Sequence, residues 1–385
     1  MKRVAIVGVG HSKFGDRRDV NLAELGFEAA KPAFQDANLT PKDVDFLSVG
    51  TAGGWYEEFL PAVVIAEYLG LSGKGLVRCE AACASGSAAV AAAYNSIIAG
   101  QSDVAMAVGI EKMTEIDVLT AVELIGRAGY YTWEFHNFGM TFPGYYALYA
   151  TEHMKKYGTT ETQLAQVAVK NHKYGSMNPF AHLQRPVTIE EVLSSRVVAW
   201  PLKLYDCCPM SDGAAAVILA SEEKAKELTD SPVWVEGIGI SSDTANVSKR
   251  ADFVGLRATV AAAERAFKMA KVSPTQLDVA DVHDCFTIAE ILAYEDLGFC
   301  QRGRGGRFAE EGQTEIGGKI PVNLDGGLKA KGHPIGATGT SMIVELTRQL
   351  RKEAGKRQAP IKNGVALAHN VGGTGHYCYV TILRS

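Results

Sequence analysis

One stretch of nine residues occurs twice in related form, and it restricts what this chain can fold into more than any other feature. Ala37-Asn38-Leu39-Thr40-Pro41-Lys42-Asp43-Val44-Asp45 resembles Ala270-Lys271-Val272-Ser273-Pro274-Thr275-Gln276-Leu277-Asp278 at an offset of 233 positions. A repeat of this kind implies two copies of one supersecondary unit. The flanks agree. Apolar residues at Leu22, Leu25, Ala29 and Ala33 before the first copy, and at Leu256, Val260, Ala263 and Phe267 before the second, predict one buried helix face in each. Each copy is followed by a run that reads as a strand, Phe46-Leu47-Ser48-Val49 and Val279-Ala280-Asp281-Val282, and the openings at 4–10 and 233–239 correspond as well. The expectation is an α/β chain of two duplicated βαβ-type halves, 1–230 and 231–385.

Residues from about 113 to 208 have no counterpart in the second half and read as an insertion. It is rich in aromatics (Tyr130, Tyr131, Trp133, Phe135, Phe138, Phe142, Tyr145, Tyr146, Tyr149) and carries an amphipathic helix near 161–174. It serves as a lid over a substrate, as a packed subdomain, or as both. At 47% hydrophobic and 21% charged residues over 385 positions, the chain can bury a core in each half. A formal net charge of −4 gives no support to nucleic-acid binding. No run approaches a membrane span, and Met1-Lys2-Arg3 followed by Val4-Ala5-Ile6-Val7-Gly8 is too short an apolar start for a signal peptide. Nor does the end, Leu383-Arg384-Ser385, match a peroxisomal address. The seven cysteines are scattered and lack C-x-x-C pairs, which predicts neither disulfides nor a metal site and points to a reducing, cytoplasmic setting.

Cys83 stands out among them. The run Gly75-Leu76-Val77-Arg78 reads as a short strand, and Cys79-Glu80-Ala81-Ala82-Cys83 turns into a helix of small residues from Ala84 to Ala93. A thiol at a helix N-terminus is expected to be favoured as thiolate, and the unpaired N–H groups there can hold an oxyanion. Cys79, Cys207, Cys208, Cys300 and Cys378 read as small buried hydrophobes. Two histidines stand in loops with unusual company: Asp281-Val282-His283-Asp284-Cys285-Phe286 and Lys331-Gly332-His333-Pro334-Ile335-Gly336-Ala337-Thr338-Gly339, the second before a helix at about 340–352. Small neighbours there let backbone and ligand approach closely. A third loop, His369-Asn370-Val371-Gly372-Gly373-Thr374-Gly375, follows the strand 365–368 and can supply backbone N–H donors.

Taken together, Cys83-Ala84-Ser85-Gly86, His283-Asp284-Cys285-Phe286 and the Gly332–Gly339 motif, in that order and spacing, resemble the thiolase family over the whole chain. The His-Asp-Cys-Phe loop is similar to that of the archaeal and sterol-carrier-protein-2-type members; other thiolases carry Asn-Glu-Ala-Phe there and a second catalytic cysteine at the position of Asn370. The resemblance implies a thiolase fold layered α-β-α-β-α. It implies that Cys83 is the nucleophile, His333 its base, Cys285 the acid–base group at the α-carbon and His283 an oxyanion donor. Backbone N–H groups of Cys83 and Gly372 would form a second oxyanion hole, and Met140, Phe142 and Ser211 would contact substrate. Coenzyme A thioesters are then substrate and product, with no permanent cofactor and no metal. The implied reaction is condensation of two acetyl-CoA to acetoacetyl-CoA by ping-pong chemistry, supplying mevalonate and isoprenoid synthesis. A 3-ketoacyl-CoA thiolase of wider chain length, an aldol lyase and a non-catalytic acyl-CoA-binding subunit are the alternatives. The implied partners are a second copy of the chain, 3-hydroxy-3-methylglutaryl-CoA synthase and a small bridging protein with an OB-fold and zinc ribbon.

Overall fold

The computed structural model describes residues 3–385; Met1 and Lys2, at the head of the short start discussed above, lie outside it. Nine strands form the central sheet: β1 (Val4–His11), β2 (Phe46–Gly50), β3 (Gly75–Cys79), β4 (Val104–Glu111), β5 (Gly213–Ser221), β6 (Val233–Ser242), β7 (Val279–Val282), β8 (Val365–Gly372) and β9 (Tyr377–Arg384). Their order is β3-β2-β4-β5-β1-β6-β9-β8-β7. The sequence of each half therefore builds one wing of the sheet. The wings meet where Ala5 and Ile6 of β1 pair with Trp234 and Val233 of β6. Where β3 lies beside β2 in the first wing, a single parallel bridge from Val322 to Ala280 lies beside β7 in the second.

Helices complete the layers. The longest of them, in chain order, are α1 (Leu22–Ala37), α2 (Ser85–Ile98), α3 (Phe142–Tyr157), α4 (Glu161–Gly175), α5 (Arg257–Ala270) and α6 (Thr338–Leu350). α1 covers the outer face of the first wing, α5 covers that of the second, and α2 and α6 pack against each other between the wings. The duplication extends to details of backbone chemistry. α1 ends at Asn38 and α5 at Lys271, both left-handed at φ 52° and 55°, and Pro41 and Pro274 each open a following 3₁₀ turn. The alanines of both helices lie flush on glycines of the strand beneath. A Cβ on Gly10 would sit 2.0 Å from the Ala29 carbonyl oxygen, and one on Gly239 would sit 1.8 Å from that of Ala262. That close approach explains one departure from the sequence reading. Of the expected face, Leu256 and Ala263 are buried but Val260 and Phe267 are only partly covered, and Ala258, Thr259, Ala262, Ala266 and Ala270 complete the buried side of α5.

The insertion leaves the sheet after β4 and returns at β5. Its aromatics divide: Tyr145, Tyr146 and Tyr149 of α3 are core residues, as a packed subdomain requires, whereas Tyr130, Trp133 and Phe138 are exposed. No helix among the described residues is long and apolar enough to cross a membrane.

Candidate active site

Cys83 follows β3 on a strained turn. Ala82 adopts φ +49°, a left-handed conformation that costs a β-carbon residue about 1–3 kcal/mol. Three short bonds hold it. The Ala81 N–H donates to Ser85 Oγ (2.9 Å), the Ala82 N–H to Glu80 Oε1 (2.6 Å), and the Ser85 hydroxyl to the Ala82 carbonyl (2.6 Å). The helix proper begins only at Ser85, so Cys83 lies in the 3₁₀ turn Ala82–Ala84 that precedes it. Gly86 lets α6 close in: a Cβ there would stand 2.7 Å from the Gly336 carbonyl oxygen and 2.8 Å from the Thr340 nitrogen. Through this contact the second half delivers its histidine loop to Cys83.

His283 and His333 converge on the sulfur. One donor atom from each of Cys83, His283 and His333 lies within 4.8 Å of the others, and the two rings meet edge to face at 5.1 Å. His333 Nδ1 is 2.7 Å from Thr338 Oγ1, whose own proton is directed to the Pro334 carbonyl at 3.0 Å. The hydroxyl can then only accept from the ring, so Nδ1 carries the proton and Nε2 keeps a lone pair for an acid. Gly332, at φ +113°, permits this loop path; a Cβ there would strike Ser211 Oγ at 2.6 Å. On the other side, Asn370 bridges Ser87, the Cys83 carbonyl and His283, and His283 Nε2 is buried without a partner.

Burial governs the electrostatics. Cys83, His283, Cys285 and His333 are 9%, 1%, 5% and 6% exposed, and a cup of Trp55, Met113, Ala121 and Ile335 surrounds Cys83. Desolvation pushes the Cys83 thiol up to about 12, against a stabilising N–H from Gly373, with the nearby Glu111 carboxylate acting in the same direction as burial. The thiolate expected from the helix N-terminus is thus outweighed in the free protein. Burial, with Lys331 nearby, holds His333 down to about 3, and burial with His333 and His369 holds His283 well below its usual range. The resting site is a neutral thiol beside two neutral imidazoles.

Cys285 sits at the next position inward. Its N-terminal neighbour Asp284 is tied down by the N–H groups of Leu328 (2.7 Å) and Lys329 (3.2 Å) and by the Asn171 amide (2.7 Å) of α4. Burial raises the Cys285 thiol well above its usual range, and the Tyr146 hydroxyl on α3 opposes that shift by hydrogen bonding to the sulfur. Tyr146 stacks on Phe286 at 4.6 Å and 25°, which fixes its ring. A donor to a thiolate stabilises the charged form by about 1.5–3 kcal/mol, or about 1–2 pK units. Tyr146→Phe is accordingly expected to move the pH at which Cys285 is alkylated by iodoacetamide upward by about that amount. Peptide mass spectrometry over a pH series reads it, and an unchanged profile would remove Tyr146 from the site.

The substrate-contact residues expected from the sequence are distributed differently. Ser211 is wholly buried and bonds His182 Nδ1 at 2.9 Å, so it supports Gly332 from behind instead of facing a ligand. Phe142 turns into the core against Tyr145, and Met140 is half-buried at the edge of that core. Met210, next to Ser211, does reach the apolar cup around Cys83. The N–H groups that address the Cys83 sulfur are its own, as expected, and that of Gly373, one residue beyond Gly372. Asn370 to Gly372 belong to strand β8 and not to a loop. Thr338 lay within the glycine motif, but Tyr146 carried no signal that separates it from the insertion's other aromatics.

Residues 4–223 match the family description "Thiolase, N-terminal domain" and residues 239–385 match "Thiolase C-terminal domain-like". The chain is 46% identical over 377 residues to an acetyl-CoA acetyltransferase of Methanothermobacter thermautotrophicus, covering 97% of each. It is 36% identical to sterol carrier protein 2 of Bos taurus, covering 96% of this chain and 70% of that protein. A solved Ltp2-ChsH2(DUF35) aldolase superposes with a TM-score of 0.85 at 26% identity, covering 100% of this chain and 98% of that one.

Proposed function

The chain belongs to the thiolase family, whose members act on coenzyme A thioesters without a permanent cofactor, and on that premise we propose that it is an acetyl-CoA C-acetyltransferase. The observation that supports this most is the convergence of Cys83, His283 and His333 within 4.8 Å, with the second cysteine of the His-Asp-Cys-Phe loop beside them.

The reaction is a ping-pong exchange. His333 Nε2 takes the Cys83 proton as the sulfur attacks the thioester carbonyl of the first acetyl-CoA; the carbonyl oxygen becomes an oxyanion facing the N–H groups of Cys83 and the Gly372-Gly373 turn. Collapse breaks the C–S bond to coenzyme A. The departing thiolate takes a proton from Cys285, which starts as a thiol because burial raises it, and so becomes the thiolate base for the next step. Cys285 then removes a proton from the α-carbon of a second acetyl-CoA while His283 Nε2–H and protonated His333 hold the enolate oxygen. The carbanion attacks the acetyl group on Cys83, and the expelled Cys83 thiolate recovers its proton from His333. Acetoacetyl-CoA and coenzyme A are the products: Cys83 recovers its own proton through His333, while the proton that Cys285 gives to coenzyme A is replaced by the one it takes from the α-carbon, so each group ends in its starting protonation state.

Purified protein given acetyl-CoA and acetoacetyl-CoA, with 3-ketoacyl-CoA of longer chain in parallel, tests this. Activity confined to the longer substrates would move the assignment to a broader thiolase. An aldol lyase is the second reading, because the superposable Ltp2-ChsH2(DUF35) protein is an aldolase. Retro-aldol cleavage needs no acyl-enzyme, so release of coenzyme A in a burst equal to the enzyme concentration separates the two.

The chain also functions as at least a homodimer. β3 is the edge strand of the sheet, it is exposed along most of its length, and Leu76, Val77 and the neighbouring Val63 and Val64 of the helix Pro61–Tyr68 present apolar surface beside it. An open apolar edge favours strand pairing. Val77→Asp is expected to shift light-scattering mass from dimer to monomer, whereas a monomer in the unsubstituted chain would refute the dimer. We place the chain in the cytoplasm, where its seven cysteines stay free. There it would supply acetoacetyl-CoA for mevalonate synthesis, in a complex with 3-hydroxy-3-methylglutaryl-CoA synthase and an OB-fold, zinc-ribbon bridging protein. Removal of product by the synthase would pull an uphill condensation forward. Co-elution of the three proteins at micromolar concentration tests the complex.

A further inference from the structure

Cys83, His283 and His333 present one sulfur and two imidazoles to a single point, buried and within 4.8 Å of one another. Thiolate and imidazole donors so placed are also the ligands of a zinc site. What distinguishes the two uses is which nitrogen of His283 bears the proton, since a metal ligand must offer a lone pair and an oxyanion donor must offer N–H.

Asn370 decides that. Its side chain has three partners: Oδ1 accepts from the Ser87 hydroxyl (2.9 Å), and Nδ2 faces both the Cys83 carbonyl oxygen (3.0 Å) and His283 Nδ1 (3.2 Å). The orientation of the amide is not free. A carbonyl oxygen can only accept, so the group facing Cys83 must be NH₂, and the same NH₂ then donates its second proton to His283 Nδ1. Nδ1 is thereby an acceptor. A neutral imidazole that accepts at Nδ1 carries its proton at Nε2, and Nε2 is the buried atom of His283 that has no partner. His333 is set the opposite way by Thr338, with Nδ1–H and a bare Nε2.

We infer that Asn370 is a positioning residue that locks His283 as an Nε2–H donor and, by the same bond, prevents the Cys83–His283–His333 trio from capturing a thiophilic divalent cation. The enolate part of this role rests on the function proposed above; the metal part does not. An aspartate at this position would reverse the lock. Its carboxylate accepts from Nδ1–H, frees the Nε2 lone pair and completes a carboxylate–histidine–metal arrangement of the kind that supports zinc ligands.

Cobalt(II) is the probe, followed by thiolate-to-cobalt absorption in the near ultraviolet on the full-length protein. Asn370→Asp is expected to bind Co²⁺ about 10–100-fold more tightly than the unsubstituted protein, with a thiolate-to-cobalt band that is abolished by adding Cys83→Ser. A band of similar affinity in the unsubstituted protein overturns the inference, as does its absence in a folded Asn370→Asp. Should the aspartate variant fail to fold, Asn370→Ala removes the same donor and is expected to bind Co²⁺ more tightly than the unsubstituted chain; equal binding overturns the inference. In parallel, the coenzyme A burst should survive in Asn370→Asp while condensation falls about 10²–10³-fold, the cost of one oxyanion donor. Failure of the unsubstituted protein to condense acetyl-CoA would count against the proposed function and leave the cobalt comparison readable.

Discussion

Cys83→Ala is expected to eliminate turnover in both directions, by about 10⁴–10⁶-fold, the scale on which loss of a covalent nucleophile is felt. The reason lies in the geometry around the sulfur. In the proposed mechanism every group that serves the first half-reaction addresses that atom: His333 as base, the Gly373 N–H as donor, and the cup of Trp55, Met113, Ala121 and Ile335 as the dry wall. With the sulfur gone these groups have nothing to activate. Alanine is smaller and apolar, so it fits the same cup, and the turn is held by Glu80 and Ser85, not by the thiol. The fold should therefore persist, and circular dichroism should be unchanged. Intact-protein mass spectrometry after exposure to acetyl-CoA should show one acetyl group on the unsubstituted chain and none on the variant. An acetylated or active Cys83→Ala protein would transfer the nucleophile to another residue and end the proposed mechanism.

Cys285→Ser is expected to divide the reaction. A serine hydroxyl is nearly isosteric, keeps contact with Tyr146, and leaves Cys83 and His333 in place. It is a far weaker acid than a thiol, however, and cannot serve as the α-carbon base near neutral pH. Condensation should fall by about 10²–10⁴-fold, the usual contribution of one positioned acid–base group. Acetylation of Cys83 should remain visible by mass spectrometry, slowed at most by the missing proton for departing coenzyme A. Exchange of α-protons of acetyl-CoA with deuterated solvent should fall along with condensation. Equal loss of acetylation and condensation would make Cys285 a structural residue of the core it helps to form.

Much of the fold and part of the site were legible in the residues alone, and the division has a physical basis. The duplication was visible because each half closes its helix with the same left-handed residue and proline-opened turn before the next strand, which needs a similar nine-residue stretch at 37–45 and 270–278. Close packing of α5 on β6 explains why two positions of the expected α5 face are only partly covered: Val260 and Phe267 are too bulky for the side that lies on Gly237 and Gly239, which alanines fill, while Leu256 and Ala263 are buried as expected. Cys83, His283, Cys285 and His333 were conspicuous because each stands in a short run of unusual neighbours. Periodicity and composition could not show what those residues meet across the chain. Tyr146 lies 139 positions from Cys285, and Asn370 lies 287 from the Cys83 carbonyl it binds. Local sequence determined the two-winged sheet and singled out the side chains that meet at the candidate site, because both depend on short-range pattern. Only the tertiary structure decided that the resting cysteine is a thiol and which histidine nitrogen bears a proton, because desolvation and hydrogen-bond direction depend on groups brought together by folding.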